Sequence, residues 1–466
     1  MERHLAAAIL PLEAAIALAA DRACGLGISE AVKFMRHRWP VIFIAVLSMA
    51  IALTAVGQDQ PLIVRDSRGA TDLTPLCSSL GCSLVRSLGD PQQQLFLVVP
   101  VGVSQSSLLQ SLLSQPNIVD AEVDQLVTLE SPALSLIPSG LSDTTPVDYY
   151  GATVWDGYVN QPANVIVRTL ETQAHYGVSG SRIVAMIDTG LDPQHPALAP
   201  VVLQGYDFTR NRKGADEKGD LDHSTAAVLD GNGTRLPLEV TPWLAAVLTP
   251  AGAAALGDPK YADFGHGTLT AGIVHLVAPT AQILPLKAFG ADGTGYLSNI
   301  VRAIYYAAGK HSKVISMSFS FYNYSTEMAK AINNVKNRGL ICVASAGNDG
   351  QQISVYPAAL PNVMGVASTS DTDTRSTFSN YGSQVVWVAA PGENIVSTYP
   401  YNTYGASSGT SFSAPFVAGT AALLLSANAN ENETKAAAAI AHAVQLTPDL
   451  NHGRLDTYQA VGSLSK

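Results

Sequence analysis

Over its second half the chain repeats one pattern: a short apolar run, then a longer stretch whose apolar positions recur every three or four residues. Runs at 183–187, 281–289, 314–319, 340–344, 363–367 and 385–389 are too short for helices and too continuous for half-exposed strands. They predict strands buried on both faces of a parallel sheet. Residues 296–310 put Ile300, Ala303, Ile304, Ala307 and Ala308 on one helical face, and 325–338 do the same with Met328, Ala331, Ile332 and Val335. This alternation predicts an α/β domain, a doubly wound parallel sheet flanked by helices. The apolar stretch from Phe412 to Leu425 has no polar face, so its helix is expected to run through the core.

The first half is patterned differently. An apolar run at 41–56, broken only by Ser48 and Thr54, follows Arg36, His37 and Arg38 and ends in the small-x-small sequence Ala55-Val56-Gly57. This is the order of an export signal with its cleavage site. The run falls short of the ~20 residues of a membrane span, so cleavage is expected rather than anchoring. Met35 is an alternative start. From 58 to 129 a strand is predicted at 95–99, a helix capped by Ser104 with Leu108, Leu109, Leu112 and Leu113 on one side, and a strand bent midway at 119–129. Residues 130–150 are rich in Ser, Pro, Thr and Asp and predict a linker. The expected division is 1–57, an extension with the signal; 58–129, a small α+β unit; 130–172, a linker and a segment crossing the next domain; and 173–466, the large α/β domain.

Composition narrows the function classes. With 466 residues, 47% apolar and 14% charged, the chain can bury a large core. A net charge of −10 gives no basic footprint for nucleic acid. Four cysteines are too few for a disulfide scaffold, although Cys77 and Cys82 are close enough to bridge in an oxidising compartment. Cys342, inside an apolar run, reads as a core residue.

The candidate chemistry lies at the ends of the predicted elements. Asp188 closes a strand before Thr189 and Gly190; His266, between Gly265 and Gly267, opens a helix; Asn348 follows Gly347 after another strand. Ser411, after Gly409 and Thr410, sits at the first turn of the core helix. Ligands in such sheets bind beyond the carboxyl ends of the strands, where Asp188, Ser318 and Asn348 fall. A serine needs a base, the base an orienting acid, and the tetrahedral intermediate a donor. In their order Asp188, His266, Asn348 and Ser411, these motifs resemble the subtilisin-like serine proteases over roughly 176–461.

The resemblance implies a secreted or periplasmic serine endopeptidase with Asp188, His266 and Ser411 as catalytic residues and Asn348 in the oxyanion hole. It implies that 58–129, with a ferredoxin-like fold, is an inhibitory propeptide cut off by the enzyme itself within 130–150. Gly293, Thr294 and Gly295 resemble one substrate-binding edge strand, with Leu297 near the fourth subsite. Ser318, Phe319 and Ser320 resemble the opposite edge, where the family has Ser-Leu-Gly; the resemblance puts Asp349 near the base of the primary pocket, favouring a basic residue before the cut, with a solvated surface acid as the equal alternative. The spacing from Asp188 to His266 is longer than usual, with an insertion around 211–262; a surface loop at the cleft rim is expected there, and its acidic residues leave a metal loop as the alternative. The short passage through His275 to Pro279 implies that the family's tight calcium site is absent, with weak calcium binding left open; no cofactor is expected for catalysis and no protein residue is assigned to a metal. Polypeptides are the expected substrates, the chain's own propeptide an intramolecular inhibitor, and a monomer the expected state. Two rival readings are a catalytically silent binding or adhesion module, which has no need of all four residues, and an esterase with a Gly-x-Ser-x-Gly elbow, which requires the order Ser, Asp, His.

Overall fold

The computed structural model describes residues 60–129, 131–430 and 432–465; the apolar run at 41–56 lies outside them. An N-terminal module opens the described chain. It consists of β1 (Leu62–Asp66), α1 (Ala70–Leu80), β2 (Cys82–Ser87), β3 (Leu95–Pro100), α2 (Gln105–Leu113) and β4 (Ile118–Val123). Its antiparallel sheet has the order β2-β3-β1-β4, the split βαβ arrangement. One sheet face and both helices share a core of Leu62, Val64, Leu73, Phe96, Leu108 and Leu112. Ser104 caps α2 by accepting the Ser107 N–H, and a Cys77–Cys82 disulfide ties α1 to β2. The bend expected in 119–129 falls at Asp124, after which β5 (Leu126–Thr128) leaves the module.

Eight strands form the main sheet: β8 (Ile183–Asp188), β9 (Tyr206–Asp207), β10 (Arg212–Lys213), β13 (Gln282–Lys287), β15 (Val314–Met317), β16 (Ile341–Ser345), β17 (Val363–Thr369) and β18 (Val388–Pro391). The order is β10-β9-β13-β8-β15-β16-β17-β18, parallel throughout except for the edge pair β10–β9. Alternate residues of a strand point to opposite faces. Val184 and Met186 therefore enter a core shared with α3 (His266–Val277) and α6 (Thr410–Ala427), while Ala185 and Ile187 enter one shared with α4 (Leu297–Gly309) and α5 (Thr326–Asn337). Both faces are covered, which is why the strand sequences carry no polar alternation. Helix α6 is long and apolar enough to cross a membrane, but it is 89% buried in this core.

The N-terminal module and the sheet belong to one compact unit beginning at Pro61. The module's second sheet face, through Ile63, Leu88 and Leu95, joins the core that contains Ile300, Ile304 and Met328. Polar contacts fix the same interface. Arg65 is buried and bonds to Glu327 and Asp90, Glu122 accepts the Thr326 N–H at the start of α5, and Asp124 accepts the Ser298 N–H and hydroxyl at the start of α4. Carboxylates at those positions satisfy the free N–H groups of helix N-termini.

Two expectations need correction. The 130–150 stretch is not a bare linker: a 3-10 turn at Ser139–Ser142 leads into a hairpin of β6 (Pro146–Tyr149) and β7 (Ala152–Trp155). The insertion at 211–262 is not a surface loop either. It holds a turn at Glu217–Asp220 with Glu217 buried, helices at His223–Asp230 and Pro250–Leu256, and a hairpin of β11 (Leu236–Thr241) and β12 (Leu244–Leu248). β12 is buried along its length and pairs with β20 (Thr403–Ser407), which pairs with β19 (Ile395–Tyr399), making a second antiparallel sheet, β11-β12-β20-β19. β12 has no polar side chain, so its burial costs no desolvated groups once β20 completes the ladder.

Candidate active site

Asp188 ends β8 in the middle of the sheet, and His266 is the first residue of α3. Gly265 before it has φ 90°, and a Cβ there would lie 2.1 Å from the Tyr399 ring. Only glycine permits both the turn and the contact. His266 Nδ1 lies 2.7 Å from Asp188 Oδ1. The same oxygen accepts the Thr189 N–H at 2.7 Å, and Oδ2 accepts the Thr270 hydroxyl at 3.0 Å, so the carboxylate is fixed from three sides. A carboxylate in that position fixes the proton on Nδ1 and leaves Nε2 as the acceptor. Nε2 is buried with no hydrogen-bond partner among the described residues. Burial alone would lower the imidazole pKa, but the charge and hydrogen bond of Asp188, aided by Asp263 and Glu217, raise it.

Ser411 is the second residue of α6 and is buried. Its hydroxyl donates to the Ser318 carbonyl at 3.1 Å rather than to His266, and the Ser318 hydroxyl donates back to the Ser411 carbonyl at 2.9 Å. Ser318 therefore tethers the first turn of α6. Asn348 Oδ1 accepts both the N–H and the hydroxyl of Thr410 at 2.9 Å, which points the amide nitrogen toward the Gly409 side; a Cβ on Gly409 would lie 3.7 Å from it.

Across the cleft, Thr294 and Gly295 lie in β14 (Thr294–Tyr296), which is paired antiparallel with β5 in the register Thr294↔Thr128 and Gly295↔Val127. The Leu129 N–H continues the pairing to the Gly293 carbonyl at 2.9 Å. Leu297 is buried and donates its N–H to Gln125. Among the described residues no backbone hydrogen bond joins this segment to 318–320. Phe319 turns into the core against Phe289, ring centres 5.1 Å apart, while Ser320 lies beside Gly347. Asp349 accepts hydrogen bonds from the Tyr322 hydroxyl at 2.7 Å and the Asn380 amide at 2.8 Å. Those bonds hold its carboxylate between two neutral donors. Two further histidines are core groups: burial pushes His195 and His275 down to about 4. Among the described residues no group of three or more His, Cys, Asp or Glu side chains could hold a metal ion.

Sequence reasoning missed two neighbours of His266, both from the insertion. Glu217 is fully buried and accepts hydrogen bonds from Thr189 Oγ1 at 2.9 Å, the Gly265 N–H at 3.1 Å and the Thr268 hydroxyl. It thereby links the turn after Asp188 to the first turn of α3. Burial pushes its carboxyl up to about 7, against the hydrogen bonds from Thr268 and Thr189 and the charge of Lys287. Trp243 lies with its ring centre 6.1 Å from His266 and 6.4 Å from Phe412, and its Nε1 donates to the Ala262 carbonyl at 2.9 Å. A Glu among charged residues and a lone Trp carry no local signal of such a place.

Residues 180–462 match the model of the subtilase family, peptidase S8. A thermophilic serine proteinase of Bacillus sp. (strain AK1) is 35% identical over 325 residues, covering 68% of this chain and 69% of its own. Thermitase of Thermoactinomyces vulgaris is 39% identical over 248 residues, 53% of this chain and 76% of thermitase. A solved lanthipeptide protease superposes with a TM-score of 0.51 at 22% identity over 66% of this chain and 97% of its own, which speaks to the fold. The family match over more than half of the chain, together with these identities, makes the chain a serine endopeptidase of the subtilase family.

Proposed function

We propose that Ser411, His266 and Asp188 are the nucleophile, base and orienting acid of this endopeptidase, and that Asn348 with the Ser411 N–H forms its oxyanion hole. The observation that carries this is the 2.7 Å Asp188–His266 contact, with Nε2 left unpartnered. On substrate binding the Ser411 hydroxyl leaves the Ser318 carbonyl and gives its proton to Nε2 as Oγ attacks the scissile carbonyl. The imidazolium that forms is offset by Asp188, and the oxyanion is met by the two donors. His266 then protonates the leaving amine, and water repeats the sequence on the acyl-enzyme. A fluorophosphonate should label wild type and not Ser411→Ala, and the labelled protein should lose casein hydrolysis.

The reading extends to maturation. Residues 58–129 act as an inhibitory propeptide whose tail occupies the substrate edge at Gly293–Tyr296, and the chain is exported by its 1–57 segment. Pairing ends at Leu129, and Pro132 Cδ lies 3.2 Å from the Cβ position of Gly409. That approach of Pro132 to Gly409, two residues before Ser411, supports a crossing of the nucleophile just ahead of Pro132. Wild type should cut itself there, as read by intact mass, while purified Ser411→Ala stays whole; cutting of that variant in the same window would falsify self-processing.

A further inference from the structure

The segment beyond the crossing points to a use for the insertion. After Pro132 the chain runs over the β11–β12 hairpin: the Leu134 N–H donates to the Pro242 carbonyl at 2.7 Å, and the turn at Ser139–Ser142 rests against β11 and β20. The half-buried Leu134 side chain packs on the core that contains Trp243, Phe264 and Phe412. The two residues that turn the hairpin, Pro242 and Trp243, are held rigidly. Ser407 Oγ donates to the Trp243 carbonyl at 2.9 Å, the indole N–H is anchored on Ala262, and β12 pairs with β20 from Leu244↔Ser407. β20 leads directly through Ser408 and Gly409 to Ser411, so the platform and the nucleophile hang on one strand. A site fixed before its ligand arrives has less ordering cost to overcome.

We propose that the β11–β12 hairpin is a recognition site for the part of a polypeptide substrate that follows the cleaved bond. The Pro242 carbonyl takes a backbone N–H and the surface around Trp243 takes an apolar side chain, three to five residues beyond that bond. The inference rests on the protease reading above, with the chain's own residues 131–134 standing in for a substrate. It gives the enzyme a preference on the leaving side of the cut that the edge strand at Thr294–Tyr296 does not supply.

The test uses C-terminally amidated peptides copied from residues 126–137 and the self-processed enzyme. The full peptide should be cut with a kcat/KM roughly tenfold above that of a peptide ending at Ala133, and N-methylation at Leu134 should remove most of the gain, since one hydrogen bond and one apolar contact are at stake. In Trp243→Ala the ratio of rates for the Leu134 peptide and its Leu134→Ala counterpart should shrink toward unity; being a ratio, it is insensitive to any general loss of turnover. Equal rates for all peptides in wild type, or an unchanged ratio in the variant, overturn the proposal and leave the protease reading standing. If no peptide is cut, the protease reading fails instead, and amide exchange in the Ser411→Ala full chain decides the seat: the Leu134 amide should be protected, and exchange as fast as that of exposed Ser135 overturns it.

Discussion

Asn348 and Glu217 lie beside the proposed reaction centre, and each makes its own prediction. Asn348 is held by Thr410 through its oxygen, so its amide nitrogen is oriented before substrate arrives. Asn348→Ala should leave KM nearly unchanged and lower kcat by roughly 10²–10³, the magnitude known for an oxyanion donor of subtilisin. Steady-state kinetics on a peptide substrate would show it, and normal turnover would remove Asn348 from the mechanism. Glu217 is a matter of stability. Its folded pKa of about 7 lies above the ordinary 4.5, so between those values the folded state binds more protons than the unfolded state. The contribution of its neutral form is present below about 4.5 and is lost as pH rises through 7, on the order of 3 kcal/mol. Glu217→Gln abolishes that dependence. In the Ser411→Ala background, the difference in urea stability between the two proteins should move in favour of Gln from pH 5 to pH 8; a constant difference would rule out a buried titrating carboxyl.

Among the elements, α4 and α5 do double service. Their faces build the core beneath the sheet, and their N-termini receive Asp124 and Glu122 from the N-terminal module. Asp124 is nearly wholly buried there and accepts two 2.7 Å hydrogen bonds from Ser298. A fragment of residues 58–129 has its own core and disulfide, and as an inhibitor in trans it should bind the mature enzyme through these caps. Removing a charged acceptor costs about 1.5–3 kcal/mol, so Asp124→Ala in the fragment should weaken inhibition roughly tenfold to a hundredfold. Inhibition constants that match wild type would mean that the apolar face of the module carries the binding alone.

At the scale of the whole molecule, a single unit from Pro61 brings together a sheet, a covering module and an insertion that adds a second sheet. Calcium belongs to this scale, because a bound ion stabilises the entire fold by about RT ln(1 + [L]/Kd). Residues 278–281 alone connect α3 to β13, and on the expectation that the family's tight calcium loop is missing there, EDTA should shift the melting temperature of the Ser411→Ala protein little. A fall of many degrees would point to a calcium site formed elsewhere.

The order Asp188, His266, Asn348 and Ser411, the buried parallel strands and the core helix α6 were all legible locally. Apolar runs of strand length, glycines flanking a single polar residue and a helix without a polar face each state their place within a few neighbouring positions. Boundaries moved by a few residues, as at β18, where the pattern began at 385 and the ladder at Val388. The insertion was illegible because its elements gain their stability from distant partners. β12 needs β20, some 160 positions on, and Glu217 is tolerable inside the protein only because Thr189, Gly265 and Thr268 surround it. Local sequence thus determined which residues could do the chemistry and on which elements they stand. Only the tertiary structure decided what surrounds His266 and where the chain after Pro132 is seated, since burying a charge or seating a peptide depends on groups brought together from far along the chain.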